Sequence, residues 1–315
     1  MRIAMIAIND PAGTAITFAN AINRLTPHTC RLITKELRYN FAFEKDLHLE
    51  TLPAEQWDEV EAVLAGSDIF HFHMTADEDL ELGPFKPRDF MRGKRLVHHH
   101  HGHPDFRGNP EKYQAKYRAL GRDRLLVSTP DLLHKLPGAT WMPNMVPLKD
   151  PLYLPMPGKR PTPVRVAHSP TRKDLKNTDL FMEVMARVGA PGKAETVMIE
   201  NTEHRQCLRQ KRGCHILFDH LQGYFGVSSL EALSQGLAVV AGLDDWNQAC
   251  VRTFAQTDHL PWVISSPDSL ERDMRRLVAD AAQRDAIGAA SRRFMESHWT
   301  QEAIVARLVR FYEQS

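Results

Sequence analysis

The stretch 215–242 reads HILFDHLQGYFGVSSLEALSQGLAVVAG. Its first apolar run, 215–218, predicts a short buried strand. Gly223 and Gly226 follow, and glycine permits a tight turn that larger side chains would obstruct. We therefore expect a strand that leads into a glycine loop.

A helix and a second strand are predicted after that loop. Ser228 and Glu231 have the spacing of a capping box, so a helix should begin there and run to residue 235. Gly236 ends the helix, and the apolar run 237–241 forms the next strand. This crossover places a glycine loop at the carboxyl end of a strand, where open α/β sheets bind ligands.

Composition excludes several classes of function. The 315 residues suffice for two domains, each with its own core. The 40 basic and 39 acidic residues give a net charge of +1, so we predict no nucleic-acid partner. The four cysteines form no CxxC pair, which suits a reducing compartment. No apolar stretch approaches the roughly 20 residues of a membrane span, and the amino terminus is not typical of a signal peptide, so we expect a cytoplasmic protein.

The rest of the chain alternates strands and helices. Strands are predicted at 2–8, 30–36, 68–74, 94–103, 125–128, 139–146, 164–167, 196–199 and 262–264. Helices are predicted at 15–25, 54–65, 110–120, 177–188, 202–212 and 301–312, with two more from residues 269 and 283. This order is typical of α/β domains with parallel sheets.

Proline density sets the domain boundary. The segment 147–163 has the composition of an extended linker. The predicted organisation is an N-terminal domain 1–152, a linker 153–163, a C-terminal domain 164–298, and a C-terminal helix within 299–315 that packs back toward the first domain. We expect two Rossmann-like domains facing one another across a cleft, a favoured place for ligands.

The segment 107–124 contains six basic and two acidic residues. The favoured interpretation is a solvated helix face. The alternative is a positive patch that contacts an anionic acceptor or anionic lipid. In that case the protein would be peripheral at the inner face of the membrane.

Three cations precede the helix that Asn177 or Thr178 is expected to cap. Arg172, Lys173 and Lys176 stand where the helix dipole is positive, which is unfavourable unless an anion lies between them. Phosphate is the usual anion at such a position. The competing interpretation is that these long side chains bend into water at little cost.

The glycine loop offers a second anion site. The backbone N–H groups of Val227, Ser228 and Ser229 begin a helix after Gly226, so they point at any phosphate placed there. Glu231 lies in the same turn. It either closes the capping box or accepts hydrogen bonds from the two hydroxyls of a ribose or a sugar.

Histidines cluster at the ends of two predicted strands. They are His71, His73, His98, His99, His100, His101 and His103. Imidazole is the commonest zinc ligand. However, successive strand residues point to opposite faces, so alternate members of 98–101 are separated by the sheet. The spacing matches no standard zinc motif and no cysteine or acid completes one, so we predict no metal site and expect a strand-end histidine to contact substrate.

Two segments together resemble the donor-binding half of retaining GT-B glycosyltransferases of family 4. HSPTRKDLKNTDLFMEVM (168–185) is similar to that family's Arg, then Lys-Gly-Thr segment, and GYFGVSSLEALSQGLAVVAG (223–242) to its glycine loop, glutamate and following strand. RIAMIAINDPAG, DIFHFHM, LVHHHHGHPDFR and WMPNMVP resemble the same family's glycine loop and three strand-end motifs, in the expected order. The resemblance spans nearly the whole chain and implies a GT-B glycosyltransferase.

The resemblance also implies roles for residues. Arg172 and Lys176 would hold the diphosphate of a nucleotide sugar and stabilise it as leaving group. Glu231 would bind the ribose, and the amides after Gly226 would assist at the phosphates. Gly13 would let the amino-terminal loop approach the sugar diphosphate. His101 would lie near the transferred sugar or the acceptor, and no cofactor beyond the donor is implied.

Three features depart from the family's pattern. Gly223 stands where the first of two glutamates is expected. Asp219 is its candidate substitute, since some branches of the family carry an Asp-Gln pair where this chain has Asp219 and His220. Asn177 replaces a glycine, and Ala238 replaces a proline.

These observations lead to three hypotheses. The first is a metal-independent glycosyltransferase that moves a sugar from a nucleotide-diphosphate donor to a glycan, lipid-linked or small-molecule acceptor, with retention of anomeric configuration. The second is a protein of the same fold that binds a nucleotide or sugar without turnover, which Gly223 favours. The third is a histidine-rich metalloprotein.

Overall fold

The computed structural model describes residues 1–37, 44–159, 162–189 and 192–314. Residues 160 and 161 of the predicted linker, and residue 315 of the predicted C-terminal segment, lie outside the described residues. The strands are β1 (Arg2–Ala7), β2 (Thr29–Thr34), β3 (Leu47–His48), β4 (Ile69–His73), β5 (Arg95–His100), β6 (Leu125–Val127), β7 (Thr140–Trp141), β8 (Val164–His168), β9 (Ala194–Met198), β10 (Ile216–Phe218), β11 (Ala238–Ala241) and β12 (Trp262–Ile264). The α-helices are α1 (Thr14–Leu25), α2 (Trp57–Gly66), α3 (Pro104–Gly108), α4 (Pro110–Ala119), α5 (Thr178–Val188), α6 (His204–Arg212), α7 (Val227–Ser234), α8 (Asp245–Ala255), α9 (Leu270–Ala279), α10 (Ala281–His298) and α11 (Gln301–Glu313).

The described chain divides into two compact units. Unit 1 is Met1–Asn144 with Ile304–Ser315, and unit 2 is Met145–Ala303. Each unit contains one parallel sheet with helices between its strands. The expected α/β architecture with two Rossmann-like parallel sheets is confirmed.

The sheet of unit 1 has seven strands in the order β3-β2-β1-β4-β5-β6-β7. β1 and β4 are central and almost wholly buried, which explains why apolar residues run through β1 without alternation. β2 and β3 add to one side of β1, and β4 to β7 then add to the other side, so the strand order reverses between β1 and β4. The loop of Gly13 and the end of β4 at His73 therefore lie at a topological switch point, where such sheets bind ligands.

The sheet of unit 2 has five strands in the order β12-β11-β10-β8-β9. Its switch point falls between β8 and β10, which pair in parallel from Val166 with Ile216 to His168 with Phe218. The residues that follow these two strand ends, Ser169 and Asp219, are thereby brought to one edge of the sheet.

Some elements differ from the predictions for identifiable reasons. The strand predicted at 139–146 is only Thr140–Trp141, because Pro143 has no N–H for a sheet ladder. α3 was not predicted; it begins with Pro104, and the His103 ring caps it by accepting from the Asp105 amide at 3.2 Å. None of the helices in the described part of the chain has the length and apolar composition that a membrane crossing requires.

Candidate functional site

The Asp219 carboxylate organises the glycine loop of unit 2. Its Oδ2 accepts from the Gly226 amide at 2.8 Å and from the Ser229 hydroxyl at 2.7 Å, and its Oδ1 accepts from Lys176 Nζ at 2.8 Å. Burial raises the pKa of this carboxyl, but the Lys176 ammonium and His220 outweigh that effect and hold the pKa well below its usual range. Asp219 is therefore an ionised, fully engaged anchor of the loop.

Lys176 lies directly against the loop that Asp219 anchors. A Cβ added at Gly226 would stand 3.2 Å from Lys176 Nζ and 3.4 Å from both Asp219 carboxylate oxygens. Close approach, rather than backbone conformation, favours glycine here, since its φ of −97° is open to any residue. One amine, one carboxylate and the amino end of α7 thus meet at a single point.

The predicted capping box is wrong. Gly226 is the N-cap residue of α7, and no side chain caps this helix. Ser228 Oγ instead bonds to Ser169 Oγ at 2.9 Å and accepts from Lys211 Nζ at 2.8 Å. A buried ammonium competes more strongly for these oxygens than the backbone amides do. The amino-terminal amides of α7, including that of Val227, therefore have no side-chain cap.

Glu231 sits between two basic side chains from α6. Its Oε2 accepts from Lys211 Nζ at 2.5 Å and its Oε1 from His204 Nε2 at 2.7 Å. Burial raises the pKa of Glu231, but Lys211 and His204 together lower it to about 2. The carboxylate is charged at neutral pH and held in one orientation.

Sequence reasoning missed Lys211 and His204. Both lie on α6 and are separated by seven residues, which is two helical turns, so they share the helix face that meets α7. Lys211 has a side chain only 2% exposed, and lysine is almost never buried without a partner. The repeat of basic residues at this spacing is the only signal in the sequence that could have indicated it.

The three cations before α5 separate in the structure. Only Lys176 reaches the Asp219 loop. Arg172 pairs with Asp174, and Lys173 pairs with Glu200 at 3.0 Å. Asp174 and Glu200 thus provide the negative charge near Arg172 and Lys173 that the sequence analysis expected from a bound phosphate.

The predicted cap of α5 also differs. Asn177 occupies the N-cap position with a φ of 51°, but its side chain makes no capping bond. Its Oδ1 accepts from the Leu221 amide at 2.8 Å instead. Asn tolerates this left-handed conformation, so it can stand where the resemblance expects glycine.

Two predicted site residues belong to unit 1. Gly13 is buried and has a φ of 62° at the start of α1, a conformation that favours glycine. His101 follows the last residue of β5, and its Nε2 lies 2.9 Å from His73 Nδ1. Burial lowers the pKa of His101 to about 3, against an opposing effect of Asn144, so the ring is neutral.

Comparison with solved structures identifies the fold. HepE from Anabaena, solved in complex with UDP and glucose, matches with a TM-score of 0.65 and 10% identity over 99% of each chain. A glycosyltransferase from Rickettsia africae matches with a TM-score of 0.57 and 13% identity over 99% of this chain and 97% of that chain. TarM from S. aureus, in complex with fondaparinux, alpha-GlcNAc-glycerol and UDP, matches with a TM-score of 0.56 and 15% identity, over 78% of this chain and 55% of its own length.

The chain has the GT-B fold. No protein-family model and no curated protein matches the sequence. The fold predicted from the resemblance is confirmed, and it rests on structure rather than on sequence similarity. Within this GT-B chain, unit 2 brings together Lys176, Asp219, the Gly226 loop, Ser228 and Glu231, whereas Arg172 lies in its own ion pair.

The segment 107–124 of this GT-B chain is less positive than its composition suggests. Arg107 pairs with Asp131, Lys112 with Asp105, Lys116 with Asp77, and Arg122 with Glu78. These pairs neutralise much of the local charge, although Arg107, Lys116 and Arg122 are only 17–29% exposed and so differ from the solvated side chains of the favoured interpretation. Contact with an anionic membrane through this segment stays a prediction.

Proposed function

We propose that this protein is a glycosyltransferase that moves a sugar from a nucleotide-diphosphate donor to a glycan, lipid-linked or small-molecule acceptor. The observation that carries the proposal is the meeting of Lys176, the Asp219-anchored loop and the uncapped amino end of α7. Helix amino termini and ammonium groups both stabilise phosphate oxygens. The solved structures of HepE and TarM, which share the fold, contain UDP.

The proposed roles follow from the charges. The Lys176 ammonium, together with the amides of Val227 and Ser228, stabilises the negative charge that develops on the leaving diphosphate. Because these groups supply positive charge, the proposed reaction needs no metal ion at the diphosphate. Arg172 is proposed to turn from Asp174 toward the donor, a rotation that an exposed arginine side chain can make.

Glu231 is proposed to bind the nucleotide ribose. A carboxylate has about four acceptor positions, and Lys211 and His204 occupy two of them. The remaining lone pairs can accept from the two ribose hydroxyls without breaking either hydrogen bond. Lys211 and His204 therefore orient Glu231 for its ligand rather than displace that ligand.

The acceptor side is proposed to lie in unit 1. Gly13 would let backbone approach the sugar diphosphate, and His101 would lie near the transferred sugar as a neutral hydrogen-bonding group. Asp219 is buried and accepts three hydrogen bonds, from Lys176, Gly226 and Ser229, so we assign it to loop organisation rather than to the sugar. Transfer is proposed to proceed with retention, in the cytoplasm or at the inner membrane face.

The second candidate is a protein of this fold that binds a nucleotide without turnover. Gly223 favours it, because that position has no acid for the transferred sugar and a Cβ there would lie 3.1 Å from Asp244 Oδ2. A φ of 89° also confines this position to glycine. The loop geometry thus leaves no room for the missing carboxylate.

A thermal-shift panel of UDP, GDP, ADP, dTDP and CMP separates these candidates. We expect one diphosphate to raise the unfolding midpoint, and this increment should be unchanged by EDTA. Sugar conjugates of that nucleotide should then be transferred or slowly hydrolysed, and NMR of the anomeric proton reports retention. Binding without any turnover would favour the second candidate, and the absence of nucleotide binding would exclude both.

A further inference from the structure

A histidine cluster in unit 1 lies outside the proposed donor site. His71 and His73 belong to β4 and His99 to β5, and the strand register pairs His73 directly with His99. One ring nitrogen from each of the three lies within 4.8 Å of those of the other two. All three side chains are buried, with relative exposures of 0%, 2% and 0%.

Outer contacts orient two of these rings. His71 Nδ1 lies 2.6 Å from the Tyr312 hydroxyl, and His73 Nδ1 lies 2.9 Å from His101 Nε2. In each ring the Nε2 atom is left for the cluster. Metal-binding histidines have this arrangement, in which the second nitrogen is held by an outer partner that fixes the ring.

One inner distance matches the separation of two ligands on one metal ion. His71 Nε2 and His99 Nδ1 are 3.3 Å apart. Two nitrogens bound to one tetrahedral ion at about 2.0–2.1 Å are separated by about 3.3–3.4 Å. The rings of His71 and His73 stack with centroids 4.4 Å apart, which brings the third imidazole beside this pair.

One of the proposed ligand nitrogens lacks a partner. His73 Nε2 is buried and has no hydrogen-bond partner among the described residues. A neutral imidazole requires both a donor and an acceptor partner, and a buried polar atom without one indicates an ion or a water molecule.

We propose that His71, His73 and His99 form a binding site for a zinc-class transition-metal ion. Three neutral imidazoles without a carboxylate favour zinc, copper or nickel over magnesium, calcium or manganese. A three-histidine set leaves a fourth position for water. The ion would join β4 and β5 where both strands end.

This site is distinct from the proposed donor site. Its ligands belong to unit 1, whereas Lys176, Asp219 and Glu231 belong to unit 2. The proposal differs from the sequence-based expectation of no metal site. Alternation does separate His99 from His98 and His100, as expected, because His98 stacks on Phe72 and His100 on Phe106. The sheet, however, pairs residues of the same face from two strands.

Cobalt binding to the full-length chain tests the proposal. The protein is unfolded, treated with chelator and refolded with CoCl₂ or ZnCl₂, and the metal bound per chain is measured after desalting. We expect one equivalent, a visible cobalt spectrum of tetrahedral type and a higher unfolding midpoint with zinc. Less than a stoichiometric amount in the wild-type protein would overturn the proposal.

Variants locate the ion. His73→Gln and His99→Gln should each abolish cobalt binding, whereas His98→Gln, on the opposite face of β5, should retain it. Retention by both ligand variants would place the metal elsewhere and reject the site. If those variants fail to fold, X-ray absorption of the zinc-loaded wild-type protein decides: we expect imidazole nitrogens at about 2.0–2.1 Å, and sulfur or mostly oxygen ligands would reject the site.

Discussion

Replacing Lys176 by methionine tests the charge arrangement of the proposed donor site. The Lys176 ammonium lies 2.8 Å from Asp219 Oδ1, and the Asp219 side chain is only 2% exposed. After the replacement, Asp219 keeps its bonds from the Gly226 amide and the Ser229 hydroxyl but loses its close cation. A buried charge is then left partly uncompensated.

The expected loss of stability can be derived from this geometry. Removing one partner of a fully buried ion pair costs about 3–5 kcal/mol. Here the Lys176 side chain is 20% exposed and two hydrogen bonds to Asp219 persist, so we expect about 2 kcal/mol. The double variant Lys176→Met/Asp219→Asn leaves no unpaired charge, so its loss should fall short of the sum of the single losses by about 1–2 kcal/mol.

Urea unfolding at pH 7 and calorimetric titration measure the two consequences. Lys176→Met should weaken binding of the preferred nucleoside diphosphate about 30-fold, which corresponds to about 2 kcal/mol, and leave binding of the nucleoside unchanged. Lys173→Met is the matched control, since Lys173 is 58% exposed and pairs with Glu200. Additive stability losses would refute the coupling with Asp219, and an unchanged affinity for the diphosphate would refute the donor role.

Three further outcomes are expected. Glu231 has a pKa of about 2 in the folded chain and 4.5 as a free side chain, so the unfolded chain takes up its proton first as the pH falls. Between pH 4.5 and 2, the free energy of unfolding measured with urea should therefore fall by about 3 kcal/mol more for wild type than for Glu231→Gln. Parallel curves for the two proteins would contradict this. Gly226→Ala brings a Cβ to 3.2 Å from Lys176 Nζ, so nucleotide affinity should fall several-fold with little change in the thermal midpoint. Gly108→Ala is the control and should leave the affinity unchanged, because a Cβ there meets no neighbouring heavy atom within 4 Å. Lys211→Met should lower the free energy of unfolding in urea by about 3–5 kcal/mol, because it leaves the buried Glu231 carboxylate without its ammonium partner. Adding Glu231→Gln should recover part of that loss, and no recovery would count against the ion pair.

The order of strands and helices could be predicted because burial requires apolar residues in runs or at regular spacing along the sequence. β1 and β11 are apolar runs buried on both faces, and β12 was predicted with its observed ends. The rule that ligand loops lie at the carboxyl ends of parallel strands then predicts where a binding loop should occur. The glycine loop before α7 was placed correctly for this reason.

The choice of hydrogen-bond partners could not be predicted in the same way. Ser228 and Glu231 have capping-box spacing, and the local pattern therefore favours a cap. The outcome was decided by two side chains of another helix: Lys211, which offers a stronger, charged donor, and His204, which bonds to the same carboxylate. A rule based on spacing within one helix contains no information about a cation that packing brings in.

The histidines show the same limit across strands. Within β5, alternation separates His98 from His99, and that inference was correct. Whether His99 meets His71 and His73 depends on the pairing of β4 with β5 and on their register, which places His73 opposite His99. A shift of one residue would have turned the β5 histidines of this face to the other side. The cluster is thus a property of two strands in one register, and the sequence of either strand alone could not reveal it.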